Sequence, residues 1–249
     1  MLLCVSMPSW AQRQFDIEVI IFKRAVDAES TTESWPNQLP KIDMENVGSL
    51  ESESYRRSKG VTLLPSSSFR LNAQEAALNN HAGFKVLKHV AWRQGDRGKS
   101  SAPNFPHRWR ARFLFLSSRW PPNQWNSNQT FSSDGYSEET VNGPLYELDG
   151  RFQIYVQHYL FAETTLDLRE PSVREVRFEP TSTEQLADDL GEVDGNVQVG
   201  NLAEISPTVT EEKFLKSYRM DQKRRMRSSE THYLDNPLMG MIIQVRRVR

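Results

Sequence analysis

The chain has 249 residues, with 31 lysines and arginines against 32 aspartates and glutamates and a formal net charge of −1, which fits one large domain or two small ones. Near-neutrality excludes the overall basic surface that grips phosphate backbones, so any polyanion site must be local. The one cysteine, Cys4, excludes an internal disulfide or a thiolate metal framework.

Taken in chain order, Leu2, Leu3, Cys4, Val5 and Met7 precede Pro8-Ser9-Trp10-Ala11, an apolar core followed by a small-x-small cleavage pattern. Residues 1–11 are therefore expected to be a signal peptide with a truncated basic start, since no cation precedes Arg13. The remaining domain would run from 12 to 249 and be exported. No later stretch approaches the ~20 apolar residues a membrane span requires.

Phe15 to Phe22 alternates, with Phe15, Ile17, Val19 and Ile21 on one side, which predicts a strand. Arg24 to Gly60 is rich in Glu, Ser, Asn and Pro and reads as a long connection anchored by Trp35, with a surface helix at most. Asn72 as N-cap, Glu75 at the capping-box position and Gly83 beyond predict one short helix. Phe84, Val86, Val90 and Trp92 fall on alternate positions of a returning strand. From Gly95 to Gly143 one strand, Trp109 to Leu116, is expected inside a long loop. Phe152 to Phe161 is apolar on both sides, as in a central strand. A turn is expected at Arg169-Glu170-Pro171, and an acidic loop over about 179–212. The basic run from Lys213 and the turn signal Asp235-Asn236-Pro237 lead to a terminal hairpin. The fold class is α+β, mainly antiparallel sheet with one or few short helices and long loops.

Known catalytic signatures are missing. The five histidines are scattered without an H-E-x-x-H, no serine has lysine three residues on, and no G-x-S-x-G or G-x-G occurs. A non-enzymatic protein without cofactor or metal is expected. Glu147 and Asp149 could form a glycosidase-like carboxylate pair, which would have to sit roughly 5 to 9.5 Å apart, although such neighbours are usually ordinary strand residues.

If residues 219 to 235 form one continuous strand, Lys223, Arg225, Arg227, Tyr233 and Asp235 share a face. Guanidinium forks match carboxylates bidentately, and sugars stack on aromatic rings, so Lys223, Arg225, Arg227 and Tyr233 are the candidate ligand-binding residues. The alternative is a solvated, edge-guarding strand face in which Arg224 and Glu230 pair internally.

Across nearly its whole length the chain resembles the CsiV-type peptidoglycan-binding proteins of gammaproteobacteria. The likeness is carried by Phe15 to Arg24, His89-Val90-Ala91-Trp92-Arg93-Gln94, Leu148-Asp149-Gly150, Tyr159-Leu160, and Arg224-Arg225-Met226-Arg227-Ser228 with Glu230, His232-Tyr233-Leu234-Asp235 and Pro237. The chain departs from that pattern at Asn236, where the family often carries histidine, and its acidic stretch reads as an insertion. The resemblance implies a periplasmic protein that binds peptidoglycan and acts through an outer-membrane lipoprotein activator of a class A penicillin-binding protein. A pure protein-protein scaffold and an unrecognised wall hydrolase are the alternatives.

Overall fold

The structure, a computed structural model, describes residues 13–36, 39–106, 109–112, 146–178 and 208–248. The signal-peptide segment and 179–207 of the acidic stretch lie outside the described residues, while 208–212 already belong to a strand. The fold is α+β and mostly antiparallel. In chain order the elements are β1 (Gln14–Arg24), α1 (Glu53–Lys59), β2 (Thr62–Leu63), α2 (Asn72–Asn80), β3 (Phe84–Gly95), β4 (Asn104–Pro106), β5 (Trp109–Arg112), β6 (Tyr146–Val156), β7 (Leu160–Phe178), β8 (Thr208–Met226), β9 (Thr231–Asp235) and β10 (Met239–Arg247).

The chain divides into one unit of Met1–Arg169 with Ser217–Arg249 and a second of Glu170–Lys216. The described part of the second unit is the far portions of β7 and β8. The first unit contains a sheet in the order β2-β3-β1-β10-β9 and most of another in the order β4-β6-β7-β8, with β5 also on β6. β1 pairs antiparallel with both β10 and β3. Its central place explains why Ile17, Val19 and Ile21 on one face and Ile20 and Phe22 on the other are all buried.

The inner faces of the two sheets share one core, in which Ile17, Val19, Trp92, Met241 and Ile243 meet Phe152, Ile154, Ala162 and Met220. Trp92 stands edge-on to Phe105 at 5.1 Å and to Phe152 at 6.2 Å. Its indole N–H donates to Gln94 Oε1 at 2.8 Å, and Gln94 Nε2 donates across to the Ile154 carbonyl at 2.9 Å. A polar bridge thus joins the sheets inside an apolar core without leaving its own groups unpaired.

The outer face of the first sheet is covered around α2 by Ile20, Phe22, Leu71, Leu78, Phe84 and Val86. Asn72 is the first helical residue, not the cap. The helix entrance is fixed by Glu18, whose carboxylate accepts the backbone N–H of Arg70 at 2.8 Å and of Leu71 at 2.8 Å. The same carboxylate lies 3.0 Å from His89 Nε2 and accepts from Arg246 at 2.8 Å, while His89 Nδ1 lies 2.8 Å from Glu75. Glu75 therefore serves the histidine instead of a capping box.

Four local expectations are corrected. Phe84 and Val86 do not share a face with Val90 and Trp92, because the β1–β3 register slips between Ile21 and Phe22 and leaves Leu87 as the extra residue of a bulge. A bulge shifts alternation by one, which sends Phe84 and Val86 to the helix side and Trp92 inward. The strand over Phe152 to Phe161 is a hairpin, turning through Gln157 to Tyr159 with Gln157 N–H donating to the Tyr159 carbonyl at 3.0 Å. Because the turn brings Val156 opposite Leu160, both apolar faces continue unbroken. β7 continues through Pro171, so no turn interrupts the strand there. Finally, residues 219 to 235 are not one strand: β8 ends at Met226, Ser229 takes a left-handed conformation at φ 72°, and β9 begins at Thr231 in the other sheet.

Candidate functional site

Alternation places Arg151, Gln153 and Tyr155 of β6 and Phe161, Glu163 and Thr165 of β7 on the face of the second sheet opposite the core, in the register Tyr155↔Phe161, Gln153↔Glu163 and Arg151↔Thr165. The two strands approach so closely at Gly150, where φ is +145°, that a Cβ would lie 2.2 Å from the Thr165 carbonyl oxygen, so only glycine fits there. Tyr155 and Phe161, directly opposite each other, stack at 5.5 Å and 24°. Tyr155 is completely buried, whereas Tyr159 at the tip of the turn is 55% exposed.

Polar groups frame these rings. Lys99 donates to both oxygens of Glu163, at 2.9 and 2.8 Å, and the Tyr155 hydroxyl donates to Glu163 at 3.2 Å. Arg151 lies 4.0 Å from the same carboxylate. Burial alone would push the Glu163 carboxyl up, but these cations and the tyrosine outweigh it and hold the group below its ordinary value. The loop bearing Lys99 is pinned by Gln153, whose amide donates to the Lys99 carbonyl at 2.8 Å and the Ala102 carbonyl at 3.1 Å.

β8 completes the face. Arg219 donates a two-pronged fork to Asp167, 2.8 Å on each side. Those hydrogen bonds, against an opposing burial effect, raise the arginine above its ordinary value, with the charges of Asp167 and Asp221 adding to it. Four and six residues on, the same alternation brings Lys223 to 5.2 Å from the Phe161 ring centre and 6.0 Å from that of Tyr155, and Arg225 to 4.4 Å from Tyr159. These are cation–π distances.

Of the four sequence-predicted ligand residues, Lys223 and Arg225 are thus brought together and Arg227 and Tyr233 are not. The turn after Met226 puts Arg227 in solvent, its side chain 78% exposed and 3.7 Å from Glu230. Glu230 also lies 4.0 Å from His232, so its partners are Arg227 and His232, not Arg224. Tyr233 belongs to the first sheet, where it lies parallel to Phe22 at 6.2 Å, accepts from Arg24 and donates to Asp235 at 2.8 Å. Burial raises the Tyr233 hydroxyl above its ordinary value. Sequence reasoning missed Tyr155, Tyr159, Phe161, Lys99 and Glu163. The only available signal was the aromatic character of one face of the 152–161 pattern, which reads equally well as core.

Glu147 lies between Lys23 at 2.9 Å and Lys85 at 3.5 Å, and Asp149 lies against Arg169 at 3.4 Å. Each carboxylate is taken up by cations of its own, as in ordinary interstrand ion pairs. Among the described residues no group of three or more metal-ligating side chains converges, and no helix is long and apolar enough to cross a membrane.

Compared with known proteins, residues 1–248 match the model of a family described as "Peptidoglycan-binding protein, CsiV". No curated protein and no solved structure gives a significant match.

Proposed function

Because the chain belongs to the CsiV family of peptidoglycan-binding proteins, we propose that it holds the wall polymer on the outer face of β6, β7 and β8, without turning it over. The observation that carries this reading is the stacking of Lys223 and Arg225 on Phe161 and Tyr159. Exposed basic strand faces are commonplace, but cations seated on ring faces offer donors and apolar surface together, as a sugar-peptide polymer requires. The protein would act in the periplasm after removal of residues 1–11, as an adaptor. Weak capture of the polymer concentrates it beside the synthetic machinery, where contact with an outer-membrane lipoprotein activator shifts that activator's state and so stimulates a class A penicillin-binding protein.

Co-sedimentation with purified sacculi at low and physiological salt tests the first step, with the supernatant analysed for soluble muropeptides. Pelleting without release is expected. Protein left in solution at both salts would turn the reading to a scaffold without glycan affinity, and released muropeptides would turn it to a hydrolase. The second step is tested by adding the protein to a glycan-synthesis assay containing synthase and lipoprotein activator. A rate above that of synthase plus activator alone is expected, and an unchanged rate refutes the regulatory role.

Changing Lys223 and Arg225 together to serine is expected to weaken sacculus binding about tenfold, since exposed ion pairs contribute up to ~1 kcal/mol each. Salt sensitivity should fall with it, because two screened charges have gone. Arg227→Ser and Tyr233→Phe, which lie off this face, should bind as the parent does. A loss in Arg227→Ser about half that of the double variant, with Tyr233→Phe unchanged, would show that net charge matters and the face does not.

A further inference from the structure

Peptidoglycan offers two chemically distinct surfaces. The glycan is a run of uncharged N-acetylated sugars whose lactyl carboxyl is consumed in the amide to the peptide, whereas the stem peptide displays free carboxylates. The inventory of the β6-β7-β8 face can be set against each. It carries Lys99, Arg151, Lys223 and Arg225, of which Lys99 makes both of its contacts to Glu163 and Arg151 lies near the same carboxylate. Asp167 and Asp221 act on Arg219. Among the described residues, Lys223 and Arg225 are left with aromatic rings as neighbours and no carboxylate of the chain in ion-pair range.

The rings themselves are a poor glycan platform. Tyr155 is fully buried, packed against Phe161, and Lys223 lies over both. Only Tyr159 is more than half exposed, and Arg225 occupies one side of it. That leaves surface for one sugar, not the succession of rings on which a run of sugars would stack. The aromatics serve mainly to seat the cations. With its guanidinium carbon 4.4 Å from the Tyr159 ring centre, Arg225 is already seated on a surface, so its fork of N–H donors can meet a carboxylate while losing little side-chain entropy on binding. Lys223, two residues away on the same strand face, adds a second positive charge, its backbone about 7 Å along the strand.

We propose that this face recognises the stem peptide, with Arg225 as a bidentate carboxylate receptor, Lys223 as a second anion contact, and Tyr159 stacking the single sugar that bears the stem. The proposal rests on the wall-binding reading above and narrows it to stem-bearing units, so that glycan stripped of its peptides is a weak ligand.

The test compares three immobilised or titrated probes: intact sacculi, glycan strands whose stems have been removed by an amidase and whose freed lactyl carboxyls have then been capped as neutral amides, and a soluble disaccharide-tetrapeptide. The disaccharide-tetrapeptide is expected to compete for sacculus binding, and the stripped strands to bind at least tenfold more weakly than intact material. Arg225→Ser should abolish most of that preference, and Arg225→Lys should not restore it, because an ammonium has no fork. All these positions are exposed, so thermal melting of the variants should overlay that of the parent. Equal binding of stripped and intact glycan overturns stem recognition while leaving wall binding standing. A stem preference untouched by Arg225→Ser and Tyr159→Ala overturns the assignment to this face. Failure to bind any of the three probes removes the wall-binding reading itself.

Discussion

Replacing Glu18 by glutamine is expected to lower the free energy of unfolding by about 3–5 kcal/mol, the range for removing one partner of a buried charge pair. The side chain is completely inaccessible to solvent, and every group around it points a donor or a ring nitrogen at it. The carboxylate serves the Arg70 and Leu71 amides, His89 and Arg246 with two oxygens. A glutamine of the same shape keeps one oxygen and turns the other into a donor, which would face either an amide and the Arg246 guanidinium or two amides and a histidine. Some donor must then be stranded inside the protein.

The pH dependence carries a definite sign. Burial opposes the charge on Glu18, but Arg246, the two backbone amides and His89 together hold its carboxyl below the ordinary 4.5. A group whose value is lower in the folded state contributes stability that is complete above its unfolded value and drains away as pH falls through the folded one. Urea denaturation of parent and Glu18→Gln should therefore differ most near neutrality and converge in acid, the parent losing stability faster below about pH 4.5. A difference under about 1 kcal/mol at neutral pH, or one independent of pH, would show that the carboxylate is not the anchor of α2.

The strands that could be read in advance are those in which alternation meets nothing but a flat ladder. Phe15 to Phe22 and Met239 to Val245 are opposite each other in β1 and β10 without a register slip, so a period of two describes both. Elsewhere the failures share a cause. Leu87 is apolar and would suit either side of a sheet, so the bulge that inserts it leaves no mark in composition. Gln157, His158 and Tyr159 turn the chain without glycine, proline, asparagine or aspartate, and the pairing of Val156 with Leu160 restores the pattern on the far side. At Pro171 the reverse holds, since a strong breaker lies within β7. Each is decided by what the neighbouring strand supplies.

The candidate site divides along the same line. Lys223 and Arg225 were legible because two residues apart on a strand means the same face. Their rings were not, because Tyr155, Tyr159 and Phe161 come from a hairpin some 60 residues earlier and meet the cations only when β8 docks beside β7. Extending the basic face to Arg227 and Tyr233 required an unbroken strand, and Ser228-Ser229 breaks it. The run His89 to Gln94, part of the family likeness, proves to be structural: His89 bridges Glu18 and Glu75, Arg93 forks onto Asp16, and Trp92 and Gln94 join the sheets.

That last pair supports the second large prediction. Trp92→Ala is expected to cost about 3–5 kcal/mol, as for other large aromatic truncations in cores. The indole is fully buried between Phe105 and Phe152, and its loss removes contacts to both sheets at once. It also leaves the Gln94 carbonyl oxygen without its donor, while Gln94 Nε2 still reaches the Ile154 carbonyl. Trp92→Phe fills much of the space but cannot donate, so it should lie between alanine and the parent. Since Tyr155 follows Ile154 on β6, loosening this bridge should also disturb the platform for Lys223, and sacculus affinity should fall along with the melting temperature. The partner variant Gln94→Leu separates the two effects: in a double-mutant cycle, the polar coupling should appear as a non-additive term of about 1 kcal/mol, while the remaining loss in Trp92→Ala is cavity. Strict additivity would mean that the sheets are held by apolar packing alone and that the hydrogen-bonded bridge contributes nothing.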